Sequence, residues 1–183
     1  MDPITQFDFS ILHFIHDNIS CGFMDFLMPK VTWLTEMGAV WLLAAALFLI
    51  FRRYRASVAI AGGILASLLF GNLLLKHIVA RARPCWLEPT FQMLIAVPHD
   101  YSFPSAHSMV SFAAAVAIFH YNKKAGIPAL VIAALIAFSR LYLFVHFPTD
   151  VLVGILMGIG LGIAAFVITD KVADRINRKK IKD

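Results

Sequence analysis

Charge is scarce in this chain. Asp, Glu, Lys and Arg make up 15% of its 183 residues, where a soluble domain carries about 25%. Hydrophobic residues fill 60%, and the uncharged runs reach bilayer length, which excludes a water-soluble globular protein. Cysteine is nearly absent. Cys21 and Cys85 fit no metal-ligand spacing, and pairing them would require both to face an oxidising compartment, so two free thiols are the expected state. No removable signal peptide is legible, because Asp2, Asp8 and Asp17 stand where a basic leader would be. Acids are outnumbered 11 to 16, for a net charge of +5. The basic clusters Arg52-Arg53-Tyr54-Arg55, Lys123-Lys124 and the run from Lys171 to Lys182 abut the ends of apolar segments. They do not interleave with aromatics on one exposed face, so they read as topology-setting, snorkelling charges and not as a nucleic-acid footprint.

What is present is helix-forming apolar sequence. Residues 4–19 carry Phe7, Ile11, Phe14 and Ile15 on one side and Asp8, His16 and Asp17 elsewhere, which predicts an amphipathic interfacial helix. Spans are expected at 31–51, 56–75, 107–121, 126–143 and 151–169. Residues 20–36, with Asp25, Pro29, Lys30 and Glu36, add a sixth if they cross. The fold class is therefore all-α, a polytopic transmembrane bundle of five to six spans with an N-terminal interfacial helix. Its divisions are that helix (1–20), the membrane domain (21–170) and a basic cytoplasmic tail (171–183). Gly154, Gly158 and Gly162 form a close-packing stripe on the last span. The three basic clusters follow the first, third and fifth spans. The positive-inside rule then places them in the cytoplasm and the connections at 77–105 and 144–150 outside.

The residues that a bilayer penalises most collect at that outer face. Lys76 and Arg83 are seven apart and share a helix face if the helix continues to Pro84. A fork of donors and a point charge converging there suit a phosphate. In Pro104-Ser105-Ala106-His107, Ser105 is a natural N-cap. An oxyanion at that helix start meets its hydroxyl, the backbone near Ala106 and the His107 imidazole. Ser139-Arg140 ends one span, and His146 stands four residues before Asp150 at the start of the next. One helical turn can bring that carboxylate to the imidazole, fixing its tautomer and freeing the other nitrogen to attack phosphorus. Each cluster alone also has a plain reading, as flanking charge, helix cap or incidental histidine. His13, His16, His77, His99 and His120 belong to that plain class. Together, three cations, two histidines and a carboxylate are the parts of phosphoryl transfer without a metal or other cofactor.

The stretches KHIVARARP at 76–84, PSAH at 104–107 and SRLYLFVHFPTD at 139–150 resemble the three motifs of the type 2 phosphatidic acid phosphatase superfamily. Every defined position is filled, and the resemblance runs from about residue 30 to 169. It implies a membrane lipid phosphatase in which His146 is the nucleophile, Asp150 orients it and His107 serves as acid and then base. Lys76, Arg83, Arg140, Ser105 and the backbone at Ala106 would bind the phosphoryl oxygens. The length and short outer loops resemble the compact bacterial members. These imply a multi-pass protein of the cytoplasmic membrane, with undecaprenyl diphosphate as substrate and phosphatidylglycerol phosphate or phosphatidate as alternatives. The soluble haloperoxidases that share the motifs are excluded by the apolar spans. A non-catalytic lipid-binding or transport relative would be expected to have lost His146 or Asp150.

Overall fold

The structure, a computed structural model, describes residues 2–180; the last three residues of the basic tail lie outside them. The described residues form helices and no strands. Helix α1 (Pro3–Ile19) starts at Asp2, whose carboxylate accepts from the backbone N–H groups of Ile4 and Thr5, with proline at the first helical position. Its faces divide differently from the expectation. Phe7 and Phe14 point outward, while Asp8, Leu12 and Ile15, at i, i+4 and i+7, are buried with Phe9 against Phe144 and Phe147. The carboxylate thus sits on the inward stripe.

Helix α2 (Gly22–Trp33) is clasped to the end of α8 (Lys123–Tyr142) by polar contacts: the Tyr142 hydroxyl donates to Asp25 at 2.6 Å, and Arg140 donates to Thr32. The chain then turns through Glu36–Gly38, with Gly38 in the left-handed region at φ 76°, before α3 (Ala39–Ile50). The expected span at 31–51 is therefore not one helix. The glycine turn divides it, and the 12 residues of α3 rise only about 18 Å, short of a hydrocarbon core of about 30 Å. Helix α4 (Tyr54–Ser67) runs through a π-helical stretch, Leu68–Leu75, into the single turn of α5 (Lys76–Val79). After α6 (Pro84–Leu87) comes a long loop, then α7 (Ala106–Tyr121), α8 and α9 (Pro148–Lys180).

Three segments are long and apolar enough to cross a membrane: Tyr54–Leu87, Lys123–Tyr142 and Pro148–Lys179; α3 and α7 are shorter apolar helices. Exposed Leu65, Phe70, Val131, Leu152, Leu156 and Ile168 line the outside of the bundle. Apolar surface on that scale fits lipid, not water, so the chain is a multi-pass membrane protein. Inside, α7 is the central helix, buried among Trp41, Ile60, Ile64 and Ile136.

The glycine stripe of α9 lies on α7. A Cβ added at Gly154, Gly158 or Gly162 would come within 2.7, 2.4 or 2.6 Å of the carbonyl oxygens of Ser105, Met109 and Ala113. Those partners are themselves every fourth residue, so the two helices meet backbone to backbone. That approach brings the start of α7 beside the start of α9, and the Ser105 N–H donates to the Asp150 carbonyl at 3.1 Å. The opposite end of the bundle is tied by Arg55 to Asp174 at 2.7 Å and by the Tyr121 hydroxyl to Asp170 at 3.0 Å. The first basic cluster, the α7–α8 turn and the start of the tail therefore share one end, away from the motif residues.

Candidate active site

Asn72, Lys76, Arg83, Ala106, His107, Arg140 and His146 line one cavity of about 440 Å³, with Glu36 and His99 among its further lining residues. A larger cavity of about 790 Å³ lies at the other end, walled by Phe48, Phe51 and Arg52 to Arg55. It has no histidine among its lining residues, so the smaller cavity is the candidate site.

Lys76 and Arg83 converge as expected, but by a different route. The helix does not continue to Pro84. It stops at Val79, with Ala80 left-handed at φ 47°, and Arg83 is extended, as a residue before proline prefers. The extended segment swings Arg83 back so that it and Lys76 grip the same carboxylate, Asp100. Burial raises the Asp100 carboxyl, but the hydrogen bond from Lys76 and the charge of Arg83 outweigh it and hold the group well below the usual range. Asp100 matches no motif position. It is more than half exposed on the 88–105 loop, and nothing in the sequence said that it would meet two cations.

Arg83 also fixes the tautomer of His146. Its Nη1 lies 3.2 Å from His146 Nε2. A guanidinium only donates, so Nε2 accepts and the ring proton sits on Nδ1. On the Nδ1 side, Ser102 Oγ lies at 3.4 Å and donates to Asp150 Oδ2 at 2.5 Å. The direct distance from Nδ1 to Asp150 Oδ2 is 3.8 Å. The expected one-turn pairing is thus bridged by a serine hydroxyl. The reason is local: His146 precedes α9, and Asp150, its third residue, folds back to accept the Phe147 N–H at 2.9 Å, a capping-box contact. Burial, then the charges of Arg83, Arg140 and Lys76, push His146 well below the usual histidine range, so the ring is neutral and its Nε2 lone pair accepts from Arg83.

Arg140 is buried with one nitrogen held by Thr32 and its Nε without a hydrogen-bond partner among the described residues. A buried guanidinium with an unspent donor on a cavity wall is an anion site in waiting. His107 lines the same cavity and makes no hydrogen bond to another described residue, so both ring nitrogens remain available. Ser105 is buried as the N-cap of α7, its Oγ within 2.9 Å of Ser108 Oγ and 3.4 Å from the Ser108 N–H; it does not line the cavity, whereas Ala106 does.

Behind His146 lies a charged group that reaches beyond the motif positions. Arg81 donates to Asp150 Oδ1 at 2.6 Å and to Asp8 Oδ2 at 2.7 Å, and its guanidinium sits 4.0 Å over the Phe147 ring. Asp8 also accepts from the Thr149 N–H and hydroxyl. The one sequence signal for this was Asp8 itself, an acid on the stripe of Leu12 and Ile15. Four of the remaining histidines are ordinary: His13 pairs with Glu88, His120 with Asp170, His16 packs on Phe91 and His77 lies 3.2 Å from the Leu73 carbonyl, whereas His99 lines the cavity, which its sequence context did not indicate. Both cysteines are free thiols.

Fold and site together define a multi-pass membrane protein with a cationic, histidine-bearing pocket at one end of its bundle. The chain belongs to the PAP2 superfamily, which matches residues 56–174. It is 34% identical over 122 residues to the "Undecaprenyl-diphosphatase" of Sulfolobus acidocaldarius, covering 65% of this chain and 58% of that protein. It is 36% identical over 126 residues to the "Decaprenylphosphoryl-5-phosphoribose phosphatase" of Mycobacterium tuberculosis, covering 67% of each. The chain thus spans somewhat over half to two thirds of these relatives. Among solved structures, LpxE from Aquifex aeolicus superposes with a TM-score of 0.76 at 26% identity, over 86% of this chain and 93% of that one.

Proposed function

We propose that this protein is a membrane lipid phosphatase that works through a phosphohistidine and uses no metal. The observation that carries the reading is the Nε2 lone pair of His146, held toward a pocket walled by Lys76, Arg83 and Arg140. An incoming phosphoryl group would displace Asp100 from Lys76 and Arg83 and take up the unspent donor of Arg140. As the Nε2–P bond forms, the P–O bond to the leaving group breaks, and that oxygen takes a proton from His107. Water, deprotonated by His107, then cleaves the N–P bond and releases phosphate. Ser105 supports this pocket through the cap that orients Ala106 and His107.

The preferred substrate is undecaprenyl diphosphate, giving undecaprenyl phosphate; phosphatidylglycerol phosphate or phosphatidate is the alternative. Support comes from the similarity to the undecaprenyl-diphosphatase of Sulfolobus acidocaldarius and from the charge alternation, which by the positive-inside rule would turn the pocket outward. The test is phosphate release from the purified protein across those three lipids, with chelator present. Release from undecaprenyl diphosphate that survives chelator and is blocked by vanadate is the expected result. Release from none of the lipids would overturn the phosphatase reading, and a strict Mg²⁺ requirement would overturn the metal-free mechanism.

Acid catalysis matters most for a poor leaving group. His107→Ala is expected to lower kcat by about 10²- to 10⁴-fold with a lipid substrate and by less than about tenfold with a nitrophenyl phosphate. Equal losses on both would remove His107 from the role of acid.

The same reading includes five crossings with α1 at the interface, the membrane domain at 21–170 and the tail at 171–183 on the cytoplasmic side. In a background lacking Cys21 and Cys85, cysteine at Thr90 is expected to react with an impermeant maleimide on intact cells. Cysteine at Lys124 is expected to react only after lysis. The reverse pattern would turn the pocket to the cytoplasm.

A further inference from the structure

His146 stands between two charge clusters. In front, at Nε2, are Lys76, Arg83 and Arg140 with Asp100 and the exposed Glu36. Behind, at Nδ1, are Asp150, Arg81 and Asp8, all within one hydrogen-bonded group: Asp150 Oδ1 to Arg81 at 2.6 Å, Arg81 to Asp8 at 2.7 Å, and Ser102 linking Asp150 Oδ2 to Nδ1. Both carboxylates are fully buried. Counted formally, two acids and one base leave this rear group with a single negative charge. Without Asp8, the Asp150–Arg81 pair would be neutral.

We infer that Asp8 and Arg81 are positioning residues for the phosphatase reaction, and that the N-terminal helix completes the site by supplying the charge that keeps the rear of His146 net negative. This rests on His146 being the nucleophile. As its Nε2–P bond forms and the leaving oxygen departs with the proton from His107, the imidazole gains positive charge. Arg81 alone would oppose that charge across Asp150; Asp8 cancels Arg81 and leaves the Asp150 carboxylate effective. Arg81 in turn bridges two buried carboxylates whose like charges would otherwise push them apart and draw Asp150 off Ser102. The geometry also places the helix: Asp8 caps the start of α9 through Thr149, whose N–H donates to it at 3.0 Å.

A role in charge balance and a role in anchoring α1 give opposite results in a double variant. The full-length protein is purified in detergent and assayed on the lipid that the wild type hydrolyses best, with His146→Ala as the inactive reference. Asp8→Asn is expected to lower kcat about 10- to 100-fold with KM within about threefold. Arg81→Gln, which leaves the rear group doubly negative, is expected to lose at least as much. Asp8→Asn with Arg81→Gln restores the single negative charge, and its kcat is expected to exceed that of Arg81→Gln by about fivefold or more. Phe9→Ala removes α1 packing without changing charge; it is expected to lower Tm while kcat stays within about threefold. The inference is overturned if Asp8→Asn keeps wild-type kcat, if the double variant is no better than the worse single, or if Phe9→Ala loses as much kcat as Asp8→Asn. A wild type no more active than His146→Ala would instead overturn the phosphatase reading itself.

Discussion

Replacing His146 with alanine is expected to abolish turnover, lowering kcat by about 10⁴-fold or more, while leaving phosphate binding in place. The side chain is buried, and its two nitrogens have different partners, Arg83 on the Nε2 side and Ser102 on the Nδ1 side. On the proposed mechanism, truncation removes the attacking atom and leaves the cations that would hold the phosphoryl group. Affinity for inorganic phosphate should therefore change by less than about tenfold even as turnover disappears, because its charge is met by groups other than the imidazole. A core cavity costs about 2–5 kcal/mol for a large apolar truncation, and a partly polar ring linked to a serine belongs toward the lower end. The variant should therefore fold. A phosphoenzyme trapped from wild type should be acid-labile and base-stable, as a phosphoramidate is, and missing from the variant. Measurable steady-state turnover in His146→Ala would rule out covalent catalysis at this residue.

The motif residues were legible because their spacing survives any helix geometry. Arg140, His146 and Asp150 sit at consecutive helix ends, and the glycine stripe that brings α9 to α7 can be read directly from Gly154, Gly158 and Gly162. What could not be read was how the irregular segments run. Ala80 in a left-handed conformation ends a helix that the apolar pattern would have continued, and it sends Arg81 one way and Arg83 the other. That single bend decides that Arg81 meets Asp150 and Asp8 while Arg83 meets His146. It is set by tertiary packing, since alanine has no intrinsic preference for the left-handed region and loses about 1 kcal/mol there, while Pro84 holds only Arg83 extended.

The membrane segments show a similar limit. Hydropathy found the apolar runs but could not see that Gly38 turns the chain between Trp33 and Ala39. Asp25, one of the residues that made 20–36 ambiguous, is used inward, accepting from Tyr142. A polar residue on a membrane helix lowers the hydropathy signal whether it faces water or a protein partner, so composition alone could not separate the two. Asp8 was misjudged for the same reason. It was taken for the polar face of an amphipathic helix, yet it is fully buried.

Changing Arg83 to lysine is expected to lower kcat/KM by about 10²- to 10³-fold although the charge is kept. Arg83 uses its whole fork: Nε on the Asp100 carbonyl, Nη1 on the Val145 carbonyl and toward His146 Nε2, and Nη2 on the Asp100 carboxylate and the Tyr101 carbonyl. An ammonium has three donors and no plane, so it cannot hold the loop carbonyls, the carboxylate and the imidazole together. Each charge-assisted bond lost is worth about 1.5–3 kcal/mol, and two of them cover the expected factor. The tautomer suffers as well, because without an N–H facing Nε2 the ring proton can move to that nitrogen and block attack. Lys76→Arg is the informative contrast. Lys76 acts as a point charge on Asp100, so keeping its charge should cost less than about tenfold. Steady-state kinetics on both variants decides the matter, with Tm checked in parallel because Arg83 also anchors the 100–101 backbone. Equal effects in the two, or an Arg83→Lys loss under about threefold, would mean that this pocket reads charge alone and that the orientation of His146 is set elsewhere.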